Sequence, residues 1–118
     1  MDLDSLAGME AALVALCDAL DRTVADYRAA LRGEAAADTE ARRRYHRALL
    51  TLGTASLTAP LREAKARVAA EDHAATATLA GAEARGLRAA LDALTLRVEV
   101  VRSLNATARA DMARNLGG

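Results

Sequence analysis

Apolar residues recur in alternating steps of three and four through the first quarter of the chain. The repeating positions are Leu3, Leu6, Glu10, Leu13, Cys17, Leu20, Val24, Tyr27 and Leu31, with Met9 and Leu16 beside them on one flank. This spacing places side chains on one face of an α-helix. We therefore predict an amphipathic helix over residues 2–32, whose widened apolar face packs against more than one neighbour.

Glycine and proline divide the next part of the chain. Gly33 suits the C-terminus of a helix, and Asp38 or Thr39 suits the start of the next. We predict that second helix over residues 39–58, with a short apolar face formed by Tyr45, Leu49 and Leu52. Because Pro60 lacks an amide donor, the pattern predicts a break just before it, or a further helix that begins there.

The rest of the chain is predicted as helices over 60–84 and 87–116, which are continuous unless Gly81 and Gly86 interrupt them. The second of these helices has the more regular heptad pattern. Its apolar seam is Leu87, Leu91, Leu94, Val98, Val101, Asn105, Ala108 and Met112. A buried Asn105 would fix the register and the number of partners in such a seam, at a cost in stability. The alternative is that the helix end is exposed at this residue.

Composition also favours helix along the whole chain. Alanine supplies 32 residues and leucine 18, whereas Ile, Phe and Trp are absent. Ala and Leu lose little freedom in a helix, and the missing residues include those that strands prefer. We predict an all-α fold, a single domain built as an elongated antiparallel bundle or coiled coil of three to four helices. If the chain does not fold back at Gly81–Gly86, the last helix must bury its stripe against another copy or another protein.

No set of residues resembles a catalytic, cofactor or metal site. Neither His46 nor His73 has a glutamate three residues before it, which a di-iron bundle site would need. Cys17 is the only cysteine, so a cysteine pair for a metal or a disulfide is excluded. The sequence therefore predicts a protein that is not an enzyme and has no cofactor and no metal ion.

The acidic and basic residues are divided unevenly along a chain of zero net charge. Residues 1–40 hold nine acids and three arginines, whereas residues 41–118 hold thirteen bases and seven acids. The densest basic stretch is ARRRYHRALL, which contains Arg42, Arg43, Arg44 and Arg47. On a helix, these arginines could bind phosphates, with Tyr45 stacking on a base. Alternatively, they pair with the acids of the first helix, or face an acidic protein partner.

The sequence also sets an expectation about location. The first ten residues carry acids where a secretory signal requires bases, and no apolar run approaches the length of a membrane span. We expect a cytoplasmic protein that has no contact with a membrane.

Two stretches, LRGEAAADTEARRRYHRALL and LRAALDALTLRVEVVRSLNATARADMARN, carry a resemblance to a known group. Together they resemble the small helical proteins, rich in Ala, Arg and Leu, that are encoded by phages and prophages of high-GC actinobacteria. The resemblance implies an accessory protein that acts in the bacterial host cell, and it implies no particular activity.

These observations lead to two functional hypotheses. The first is a non-enzymatic interaction module that forms a homo-oligomer through the seam from Leu87 to Met112 and binds an unidentified protein partner. The second is an accessory protein that binds nucleic acid through the cluster from Arg42 to Arg47.

Overall fold

The computed structural model describes residues 1–53 and 57–117. It consists of two α-helices, α1 over Leu6–Leu52 and α2 over Ala59–Gly117. No strand occurs in these described residues. The predicted all-α class is therefore confirmed, but the prediction of three to four helices is wrong, because the chain forms two much longer ones.

Helix α1 begins at a side-chain cap. The Ser5 hydroxyl accepts a hydrogen bond from the Gly8 amide at 3.0 Å and donates one to the Asp2 carboxylate at 3.1 Å. A Cβ atom at Gly8 would lie only 2.5 Å from the Asp2 carbonyl oxygen. The lack of a side chain at Gly8 thus allows the residues before the helix to fold against its first turn, where they satisfy a free amide.

Helix α1 does not end at Gly33, contrary to the prediction. A glycine that caps a helix usually adopts a positive φ, and no described glycine does so. Gly33 is followed by Glu and three alanines, which are strong helix formers. The cost of one glycine, about 1 kcal/mol relative to alanine, is therefore outweighed by the helix on either side of it. Asp38 and Thr39 consequently lie inside α1 and do not begin a new helix.

Gly81 and Gly86 do not interrupt α2 either, so the two segments predicted over 60–84 and 87–116 are continuous. Gly81 is buried, and a Cβ atom there would lie 3.3 Å from Glu34 Oε1 of α1. Glycine at this position therefore permits a close approach of the two helices. No atom lies near the corresponding position at Gly86.

The chain does break between Leu52 and Ala59, as the proline predicted. The Gly53 amide donates to the Leu49 carbonyl at 2.8 Å, which extends the hydrogen bonding at the end of α1. Pro60 lies in the first turn of α2, where a missing amide donor costs nothing. The predicted end of the second helix at residue 58 involves residues 54–56, which lie outside the described residues.

The chain divides into two compact units, each containing a segment of both helices. Unit 1 comprises Met1–Asp26 and Leu87–Gly118. Its core joins Met9, Ala12 and Leu16 of α1 to Val98 and Val101 of α2, with Leu3, Leu13, Leu94 and Ala108 packed around them. The predicted apolar face of α1 is thus displaced toward the flank of Met9 and Leu16, and Glu10 is exposed.

Unit 2 comprises Tyr27–Gly86 and contains the turn, so it is a helical hairpin. Its buried residues are small, namely Ala66, Ala70, Gly81 and Ala84. The larger apolar residues Val68 and Leu79 are each 71% exposed, and Leu31 is 42% exposed despite its place in the predicted stripe. These four buried residues all lie on α2, so small side chains form the buried face of α2 in this unit.

Candidate functional site

Three of the four arginines in the predicted cluster are bound by acids on the same helix. Arg42 lies 3.0 Å from Asp38, one helical turn earlier. Glu40 accepts from Arg43 at 3.2 Å and from Arg44 Nε at 2.8 Å. All of these are short-range pairs of the kind that adjacent turns of a helix favour. Acids from the first forty residues do pair with the cluster, but they come from the turn directly before it.

Glu40 is the electrostatic centre of this arrangement. Its hydrogen bond with Arg44 lowers the pKa of the Glu40 carboxyl, and the charges of Arg43, Arg44 and His73 lower it further, although desolvation opposes them. His73 belongs to α2, so the two helices of unit 2 both contribute to the field at this carboxylate. The lowered pKa favours the ionised form of Glu40, which is the form that pairs with Arg43 and Arg44.

Arg47 differs from the other three arginines of the cluster. Within the described part of the chain, it makes no ion pair. It lines a shallow groove of about 420 Å³ between the helices of unit 2. We call this the basic groove, and its lining residues are Arg44, Arg47, Ala48, Thr51, Leu52, Lys65 and Ala69. Lys65 is the member that sequence reasoning missed, because only the turn between the helices brings it beside Arg47.

The Tyr45 ring is not freely exposed for stacking on a base. The residue is partly buried, and its ring meets the His46 ring edge to face, with the ring centroids 5.5 Å apart. Stacking on a base would have to compete with both the burial and this contact. The structure therefore favours the interpretation of Tyr45 as part of the apolar face of α1.

The residues proposed as an oligomer seam are largely covered by α1 of the same chain. Val98, Val101 and Asn105 are buried, and Leu87, Leu91 and Leu94 are partly buried. Met112 is 49% exposed. Because Met9, Ala12 and Leu16 pack against this stripe, its regular pattern does not by itself require a second copy.

Asn105 is 9% exposed, so the alternative of an exposed helix end at this position is wrong. Its Oδ1 accepts from Arg109 Nε at 2.8 Å, and the Arg109 guanidinium also pairs with Glu10 of α1. The Nδ2 atom of Asn105 is buried without a hydrogen-bond partner among the described residues. A buried donor with no acceptor is destabilising, so this amide is a weak point of the core in unit 1.

A second apolar stripe lies on the exposed surface of α2 in unit 1. Leu96, Val100 and Leu104 are 61%, 51% and 43% exposed, and they follow each other at intervals of four residues. We call these three residues the outer stripe. They line a shallow groove of about 330 Å³ together with Glu99, Ser103 and Thr107. The spacing of the outer stripe was visible in the sequence, but the stronger heptad through Val98 and Val101 obscured it.

No family model, curated protein or solved structure matches this chain. Among the residues that the structure describes, no helix is long and apolar enough to cross a membrane. Nor do three or more His, Cys, Asp or Glu side chains come together there in a group that could hold a metal ion. The candidate functional features of the chain are therefore the basic groove, the outer stripe and the Asn105 network.

Proposed function

We propose that this protein is a non-enzymatic helical interaction module that self-associates and binds a partner protein, as an accessory protein of phage type. The outer stripe carries the proposal, because it is an apolar face of α2 left uncovered after α1 has covered the face with Val98 and Val101. The phage character is supported by the two sequence stretches that resemble such proteins.

Charges beside the outer stripe favour a parallel pairing of two copies. With Ala93 and Val100 at a positions, Asp92 falls at a g position and Arg97 at the e position of the next heptad. In a parallel coiled coil, these are the positions that meet between helices, so Asp92 of each copy would face Arg97 of the other. An antiparallel pairing would instead bring Asp92 and Glu99 toward the same acids of the other copy.

Analytical ultracentrifugation of the wild type and of Val100→Glu tests this proposal. The wild type should sediment as a dimer at tens of micromolar and dissociate on dilution, whereas Val100→Glu should be monomeric, because two buried carboxylates would face each other. The matched control is Val14→Glu, a residue of unit 1 that is 63% exposed on α1. A wild type that stays monomeric at tens of micromolar would refute the proposal, as would equal effects of both variants.

Cysteine cross-linking tests the orientation separately. In a Cys17→Ala background, Ala93→Cys and Thr107→Cys should each form a disulfide-linked dimer on mild oxidation, because equivalent residues meet in a parallel pair. If cross-links form only when the two variants are mixed, the pairing is antiparallel. That outcome would leave self-association in place while excluding the role given to Asp92 and Arg97.

A further inference from the structure

Positive charge is concentrated around the turn of unit 2. Residues 42–69 contain six arginines and one lysine, and their only acid is Glu63. Arg42, Arg43 and Arg44 are partly neutralised by Asp38 and Glu40, as described above. The remaining cations of this region therefore dominate its interaction with any charged ligand.

The basic groove brings three of these cations together from two helices. Arg44 and Arg47 are one turn apart on α1, at which spacing Cβ atoms lie about 5–6 Å from each other. Lys65 reaches the same groove from α2. Neither Arg47 nor Lys65 has an ion-pair partner among the described residues, and the one ion pair of Arg44 there uses its Nε atom. Ala48 and Ala69 supply small side chains that leave room for a ligand.

We infer that the basic groove binds the phosphodiester backbone of a nucleic acid, with Arg47 and Lys65 as its principal contacts. Arginine forms paired hydrogen bonds to phosphate oxygens, and lysine contributes a point charge. Because Tyr45 is engaged with His46, the groove contacts the backbone without stacking on bases, and binding is independent of sequence. This inference concerns unit 2 and does not rest on the self-association proposed for the outer stripe of unit 1.

The primary test is fluorescence anisotropy of the full chain with labelled DNA of random sequence, as a duplex and as a single strand, at several salt concentrations. Three neutralised phosphates predict a slope of log affinity against log salt of about −2.7 for the duplex and about −2.1 for the single strand. The form of DNA that binds more tightly, duplex or single strand, is the form that the groove prefers.

Arg47→Glu combined with Lys65→Glu should abolish binding in both arms. The matched control combines Arg28→Glu with Arg32→Glu, which changes the net charge equally at two exposed residues of α1 in unit 2. Because a double charge reversal can itself disturb folding, the milder Arg47→Gln with Lys65→Gln serves as a second variant. It should reduce the duplex slope to about −0.9, with an unchanged melting curve.

Three outcomes would overturn the inference. The first is a wild type that binds neither form of DNA at low salt and tens of micromolar protein. The second is an equal loss of binding in the control variant, which would show that DNA binding depends on the net charge of the protein and not on the basic groove. The third is equally tight binding of a polyglutamate peptide of similar length, which would identify an acidic protein as the ligand.

Discussion

The two units of this protein pack the same pair of helices with different side chains. Unit 1 buries Met9, Leu16, Val98 and Val101 in one cluster, whereas the buried residues of unit 2 are alanines and a glycine. The free energy gained on burial rises with apolar area, at about 25 cal/mol per Å². We therefore infer that unit 1 contributes most of the hydrophobic stabilisation, and that unit 2 depends more on helix propensity and on close contact of small residues.

The largest expected effect comes from truncating the core of unit 1. Leu16→Ala should lower the free energy of unfolding by about 2–4 kcal/mol, because Leu16 is 5% exposed and its loss leaves a cavity. The matched variant in unit 2 is Leu79→Ala, at a residue that is 71% exposed, and it should change stability by less than about 0.5 kcal/mol. Urea denaturation measures both, and similar costs would contradict the contrast between the units.

The stability of unit 2 should instead be sensitive to larger side chains at its buried alanines. Ala66 is fully buried, so Ala66→Leu should cost about 1–3 kcal/mol by forcing the helices apart. Ala64→Leu, two residues away on the exposed side of α2, should be nearly neutral. The same denaturation experiment compares them. Tolerance of leucine at residue 66 would show that the alanine seam of unit 2 is loosely packed.

Replacing Asn105, the polar residue in the core of unit 1, should increase the stability of the protein. Asn105→Leu should raise the free energy of unfolding by about 1–2 kcal/mol, because it removes a buried amide that has no acceptor among the described residues. Arg109 would lose one acceptor but keep its contact with Glu10. A fall in the melting temperature would mean that the Asn105 amide is hydrogen-bonded in solution.

The smallest effect concerns the glycines within the helices of unit 2. Gly33→Ala should stabilise the protein by about 0.5–1 kcal/mol, because nothing lies near the new methyl group. Gly81→Ala should gain less, since its methyl group would lie 3.3 Å from Glu34 Oε1 and 3.4 Å from the Arg85 guanidinium. Thermal denaturation of the two variants compares an open position with a crowded one. Equal gains would show that Glu34 and Arg85 move aside freely.

The sequence predicted helix correctly almost everywhere, since alanine, leucine and the charged residues all favour it, and Pro60 predicted the one break. It failed at Gly33 and left Gly81–Gly86 undecided, because a glycine can end a helix or lie within one. The choice depends on tertiary contacts such as the approach of Glu34 to Gly81. Pattern alone cannot supply that information.

The candidate sites were predictable to different degrees. The run of Arg42, Arg43, Arg44 and Arg47 was evident, but the contribution of Lys65 to the basic groove required the turn that brings α2 beside α1. The heptad from Leu87 to Val101 was also evident, yet the sequence could not reveal that Met9 and Leu16 cover it. A heptad identifies a buried face without identifying its partner.

Unit 1, which has the larger hydrophobic core, also joins residues that are far apart in the sequence. Glu10 and Arg109, which pair in unit 1, are 99 positions apart, whereas the turn in unit 2 joins α1 to α2 within a few residues. Closing the longer loop first would cost about 2.5 kcal/mol more in chain entropy. Folding should therefore begin in unit 2 and proceed toward the chain ends, so that the weaker unit forms before the stronger one. A substitution that destabilises the packing of unit 2 would then slow folding far more than it speeds unfolding.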